Sequence, residues 1–183
     1  MGRVKKQVLA VLVDNEAGVL SQVSRLFSRK GYNIESLAVG HTHHPDTSRI
    51  TIEVMADDDH VTLLANQLAK LIPVRAVKIL DSKKSIQREL IYIKVLAPTG
   101  QERNEIIQIA NIFRAQIIDV SIGALTLAMI GTEDKIEGLE SILSEFKVAE
   151  LVRTGIISIE RGQKTIYDKT KEKGEFDYGK NVL

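Results

Sequence analysis

The chain has 183 residues, 44% of them apolar and 27% charged, an ordinary balance for a globular protein of one large domain or two small ones. Lys and Arg number 25 against 24 Asp and Glu, so there is no broad basic field for nucleic acid or anionic lipid. Cysteine is absent, which excludes disulfides, thiolate metal sites and a thiol nucleophile and fits a reducing cytoplasm; no apolar run approaches the roughly 20 residues of a membrane span.

The chain opens basic and then turns apolar. The apolar stretch is short and ends in Asp14-Asn15, so QVLAVLV, residues 7–13, reads as a first strand rather than a signal peptide. Val19, Leu20, Val23, Leu26 and Phe27 then fall on one helical face. Arg29 and Lys30 sit in the last turn and Gly31 stops the helix. NIESLAVG, residues 33–40, is a second strand. After the loop HTHHPDTS, the alternation of Ile50, Ile52 and Val54 with Arg49, Thr51 and Glu53 marks a third. Asp57, Asp58 and Asp59 open a second helix at its anion-favouring end, and Val61, Leu64, Leu68 and Leu71 form its stripe. Pro73 stops it, and VRAVKIL, residues 74–80, is a fourth strand. The order is β-α-β-β-α-β.

DSKKSIQRE is a polar connector, and the order then repeats. LIYIKVL, residues 90–96, is a strand. A helix from about Gln101 to Phe113 carries Ile106, Ile109, Ala110 and Phe113 on one face. QIIDVSI and ALTLAMIG are strands. Thr132 is placed to cap a helix with Ile136, Leu139, Ile142, Leu143 and Phe146, and 148–160 holds the last strand. The fold expected is α+β, two ferredoxin-like βαββαβ units, each a sheet with helices on one face. The domains expected are 4–81 and 86–162, followed by a charged tail, 163–183, ordered only against a neighbour if at all. Both faces of the first strand are apolar: Val8, Ala10 and Leu12 on one, Leu9, Val11 and Val13 on the other. Helices cover one face, so the other must meet a second domain or another chain.

One segment suggests chemistry. DNEAGVLS, Asp14 to Ser21, joins the first strand to the first helix. A helix start exposes unpaired N–H groups and favours an anion. Gly18 would let a carboxylate approach the N–H groups of Gly18, Val19 and Leu20, and Asn15 offers both a carbonyl and an NH₂ to an amino acid's charged ends. Taken alone, most such turns are only turns.

The run VLVDNEAGVLSQVSRLFSRKGYNIESLAVG with SRITIEV resembles the N-terminal ACT domain of the acetolactate (acetohydroxyacid) synthase small-subunit family. FRAQIIDVSIGALTLAMIGTEDKI and ELVRTGIISIERG resemble the C-terminal domain of the same family, the likeness running from about Val4 to Gly162. The resemblance implies a non-catalytic subunit with no cofactor of its own. Its large, catalytic partner would carry thiamine diphosphate, Mg²⁺ and usually FAD. The subunit would activate that partner and confer feedback inhibition by a branched-chain amino acid, most often valine. It also implies homodimers in which ACT domains pair side by side into an eight-stranded sheet. Carried over by motif, the effector site comprises Asn15, Glu16, Ala17, Gly18, Val19 and Leu20, with Asn33 reaching it from the paired chain. The HTHHPD loop is richer in histidine than the family's usual loop.

Other readings compete. His41, His43 and His44 with Asp46 could ligate zinc, against a solvated hairpin turned by Pro45-Asp46, which is the reading preferred. Asp57 to Asp59 could bind Mg²⁺ but are explained as helix-start acids. No GxSxG, Walker A or HExxH pattern is present. An RNA-binding βαββαβ sheet would need aromatics on its central strands, and QVLAVLV and RITIEV carry none. A free-standing amino-acid-sensing ACT regulator of another system would share the effector loop but not the C-terminal motifs.

Overall fold

The computed structural model describes residues 3–169. The chain divides into two compact units, one made of residues up to Ile86 together with the segment from Ser158, the other of Gln87–Ile157. In the first unit the elements run β1 (Lys5–Asp14), α1 (Val19–Lys30), β2 (Ile34–His41), β3 (Thr47–Ala56), α2 (Asp58–Leu68) and β4 (Val74–Leu80). They form an antiparallel sheet of order β2-β3-β1-β4, the ferredoxin-like βαββαβ arrangement. Leu9, Val11 and Val13 of β1 pack with Ile50, Ile52 and Val54 of β3 and with Val19, Val23 and Phe27 of α1 and Leu64 and Leu68 of α2. The period-2 strand pattern thus meets the helical stripes in one core.

The second unit repeats the order with β5 (Ser85–Leu96), α3 (Gly100–Phe113), β6 (Gln116–Val120), β7 (Ala124–Gly131), α4 (Glu133–Leu143) and β8 (Val148–Arg153). Its sheet runs β6-β7-β5-β8. Ile91, Ile93 and Val95 pack there with Leu125 and Leu127 of β7, Ile106 of α3 and Ile136 and Leu139 of α4. A further strand, β9 (Ile157–Glu160), pairs β5.

Several expectations need correction. β5 begins at Ser85 rather than Leu90, taking up half of the expected connector. One of its polar residues is buried with partners of its own: the Glu89 carboxylate is 3% exposed, takes both arms of Arg153 at 2.9 and 2.6 Å, and accepts from Gly155 N at 3.1 Å. A buried carboxylate with a bidentate partner is stable where an isolated one is not. The single last strand expected over 148–160 is two, because Gly155 sits at φ 76, outside strand geometry. Thr132 holds the N-cap position of α4, but its side chain makes no capping bond. Thr99, just ahead of the helix expected from about Gln101, makes a full capping box with Glu102 at the start of α3.

The largest difference concerns the second face of β1. Val8, Ala10 and Leu12 lie in a cluster with Ala76, Leu80 and Ile166, against which Tyr167 packs. Ile166 opens a short 3-10 turn, Ile166–Lys169, which belongs to the first unit. The face expected to need another domain or chain is therefore covered by the tail of the same unit, and the tail up to Lys169 is ordered on its own chain. The remainder of the expected 163–183 tail lies outside the described residues.

Candidate functional site

The site expected from the sequence begins where β1 ends. Asp14 donates its N–H to the Pro73 carbonyl at 2.8 Å, and its carboxylate accepts from Arg75 Nε at 2.6 Å. A terminal nitrogen of Arg75 reaches Asp46 Oδ2 at 3.0 Å. One guanidinium thus ties the end of β1 to the β2–β3 loop. Burial works against the Arg75 charge, but the bonds to Asp14 and then Asp46 outweigh it and raise its pKa above the ordinary value. Asp46 is held below the usual carboxylate range, chiefly by its hydrogen bond from Arg75.

Asn15 adds the next ties. Its backbone N–H donates to the Asp46 carbonyl at 2.9 Å. Its Nδ2 donates to the Pro45 carbonyl at 3.1 Å and lies 3.4 Å from His41 Nδ1, and its Oδ1 accepts from Ser48 Oγ at 3.1 Å. The loop between β1 and α1 and the loop between β2 and β3 are thereby one hydrogen-bonded body. Arg75, Asp46 and Ser48 were not foreseen as parts of it. The only cue in the sequence is an arginine at the start of a strand, just past a proline.

Gly18 holds the N-cap position of α1 at φ 84, ψ −6, in the left-handed region, and no side chain caps the helix there. The first turn of α1 carries no acidic residue, and a Cβ on Gly18 would meet nothing within 4 Å. The positive end of the helix dipole and its leading N–H groups therefore open on unfilled space, as a carboxylate would require. Glu16, Ala17 and Leu20 are exposed around that opening, while Val19 is buried and anchors the helix in the core.

Asn33 lies beyond the other end of α1, after the Gly31 cap, exposed, with its Nδ2 donating to Glu35 Oε1 at 3.1 Å. At about 1.5 Å per residue the 12-residue helix holds the two ends roughly 18 Å apart. One chain therefore does not bring Asn33 to Gly18.

In the HTHHPD loop, the rings of His43 and His44 lie 4.0 Å apart, and both present to Tyr167, at 5.2 and 5.6 Å. Thr42 Oγ1 and the His44 carbonyl bond with Thr47 to close the turn. Among the described residues no three His, Asp or Glu are grouped to hold a metal ion, and no helix is long and apolar enough to cross a membrane.

Two successive βαββαβ units, the first with an open, glycine-capped helix start, define a two-unit α+β protein of ferredoxin-like build. Residues 9–76 match the model of the AHAS small subunit-like ACT domain, and residues 88–162 that of the small subunit of acetolactate synthase. The chain is 41% identical to the acetolactate synthase small subunit of Aquifex aeolicus over 160 residues, covering 87% of this chain and 83% of that one. It is 44% identical to the small subunit of Mycobacterium bovis over 162 residues, covering 88% and 96%. The crystal structure of the Thermotoga maritima small subunit superposes with a TM-score of 0.81 at 34% identity, covering 87% of this chain and 99% of that one. The chain belongs to the acetolactate synthase small-subunit family, a family of allosteric regulation in branched-chain amino-acid biosynthesis.

Proposed function

We propose that this chain is the non-catalytic regulatory subunit of a cytoplasmic acetolactate synthase. It activates the large catalytic subunit, which carries the thiamine diphosphate, Mg²⁺ and FAD, and it confers feedback inhibition by a branched-chain amino acid, valine first. The observation that carries the effector role is the opening at Gly18: an uncapped helix start in the left-handed region with space where a side chain would be. A valine carboxylate would lie on the N–H groups of Gly18, Val19 and Leu20. Its ammonium would lie near Asn15 and an Asn33 supplied by a second copy, since α1 keeps a chain's own Asn33 at the far end. The edge position of β2 in its sheet supports side-by-side pairing, because Asn33 directly precedes that strand. The match over 88–162 supports the small-subunit reading over a free-standing ACT regulator.

The test is reconstitution. The purified chain is mixed with its cognate catalytic subunit, and acetolactate formation is measured with and without valine, leucine and isoleucine. The chain alone should form none, the mixture should exceed the catalytic subunit alone, and valine should return the rate toward it. Turnover by the repurified chain, or a mixture no faster than the catalytic subunit, would overturn the proposal.

A further inference from the structure

The small-subunit match ends at Gly162, yet the chain continues in ordered form onto its own first unit. Arg49 of β3 donates to the Ser158 carbonyl at 2.6 Å. Lys78 of β4 pairs with Glu160 and donates to the Thr165 carbonyl at 3.1 Å. Thr165 N and Oγ1 bond both oxygens of Asp168, at 2.7 and 2.9 Å, which sets the turn. Ile166 is 4% exposed, sunk among Val8, Ala10, Leu12, Ala76 and Leu80. This arrangement aims the next side chain, Tyr167, at the His43 and His44 rings. The two histidines that enrich the loop and the tyrosine past the matched region meet each other.

The contact does not end at the histidines. Pro45 and Asp46, the next two residues, give their carbonyls to Asn15 Nδ2 and N at 3.1 and 2.9 Å. Asn15 leads into the Gly18 opening. We propose that Tyr167 is a positioning residue for effector binding: it clasps His43 and His44, and through Pro45 and Asp46 it fixes the loop from Asn15 to Leu20. This rests on the effector reading of that loop. Effector affinity then depends on a residue that touches no effector, because a loose 41–48 loop must be ordered when the amino acid binds.

The experiment uses the full chain and valine. Calorimetry should show Tyr167→Ala binding valine about three- to tenfold more weakly, the loss of aromatic contact worth roughly one such step. Tyr167→Phe keeps the ring and should bind as the unchanged chain does. The pair His43→Ala and His44→Ala should lose as much, and adding Tyr167→Ala to it should lose little more, since groups in one chain of contacts are not additive. Activation of the catalytic subunit should be unchanged throughout. Hydrogen exchange with no amino acid present separates this from the effector reading. Tyr167→Ala should speed exchange in residues 41–48 and at Asn15 while leaving α3 as it was, whether or not valine binds. A Tyr167→Ala chain with unchanged exchange in 41–48 overturns the clasp. So does unchanged affinity where the parent chain binds valine, a Tyr167→Phe loss equal to that of alanine, or losses that multiply. A parent chain that binds none of the three amino acids, with exchange altered as stated, overturns the effector reading and leaves the clasp standing.

Discussion

The Asn15 carboxamide already has partners within its own chain: Ser48 donates to it, and it donates to the Pro45 carbonyl. Replacing it removes those bonds as well as any to an effector, so Asn15→Ala mixes loosened loop with lost ligand contact. Asn33 is the cleaner probe, exposed and bonded only locally to Glu35 in the structure described. A hydrogen bond to a charged group contributes about 1.5–3 kcal/mol, so Asn33→Ala should weaken the valine response roughly tenfold to a hundredfold. Activation of the catalytic subunit should survive. Gly18→Asp sets a negative charge where the carboxylate would lie, and it also forces an L side chain into φ 84. Gly18→Ala carries at least that backbone cost without the charge. Inhibition curves for both variants should therefore part: aspartate abolishes the valine effect, and alanine only blunts it. Equal curves would mean that backbone strain, and not anion exclusion, governs the site.

Among the elements, β1 shows how far a sequence can be read. Its alternation gave two apolar faces, and both are buried: Leu9, Val11 and Val13 under the helices, Val8, Ala10 and Leu12 under Ile166. What covers the second face was not legible, because a single isoleucine in a charged tail has no periodicity to announce it. The helix α1, from Val19 to Lys30, and the strands β4 and β7 stand at the bounds their patterns predict, since glycines flank α1, Pro73 precedes β4, and β7 runs from just after Gly123 to Gly131. β5 extends beyond its apolar run because its first residues are mostly polar, and Glu89 is buried against Arg153 and the Gly155 N–H, some sixty residues on. The Gly18 opening was legible as a motif; Arg75, which holds it, was not, as its partners Asp14 and Asp46 come from distant segments. Two predictions follow from the packing. Val11 is fully buried in the helix-side core, so Val11→Asp buries an unpaired charge and should unfold the first unit rather than split an assembly; circular dichroism checks it. At the start of α2, Asp57 accepts from His60 N at 2.9 Å, and that bond, with the His60 ring, lowers its pKa below 3.8. A lowered folded pKa gives stability that is present above the unfolded value and lost as pH falls through the folded one. Asp57→Ala should therefore melt earlier than the parent at pH 7, with the gap closing below about pH 3.8. A gap that persists in acid would show that the neutral side chain, not the carboxylate, caps the helix.

At the scale of the whole molecule, the question is whether one chain can hold an effector site. Gly18 and Asn33 lie at opposite ends of a 12-residue helix, about 18 Å apart, so a site that uses both takes two copies. The strand that follows Asn33, β2, is an edge of its sheet, and edges carry unpaired backbone groups ready to add another strand. Val39 on that strand is half exposed. A second copy laid against β2 would continue the sheet, cover Val39 and carry its Asn33 toward the first copy's helix start. Light scattering at micromolar concentration should then give twice the 20.3 kDa of one chain. Val39→Lys places a charge on the edge, the device by which natural edge strands resist pairing, and should move the mass toward a single chain with the circular dichroism unchanged. Valine sensitivity should fall in step with the dimer fraction, because an effector that binds only the pair stabilises it by mass action and is lost with it. Dilution of the unaltered chain gives the same relation by another route: inhibition should weaken at the concentration where the pair dissociates, and added valine should shift that concentration downward. A single-chain mass combined with full valine inhibition would place the whole effector site on one copy and remove Asn33 from it.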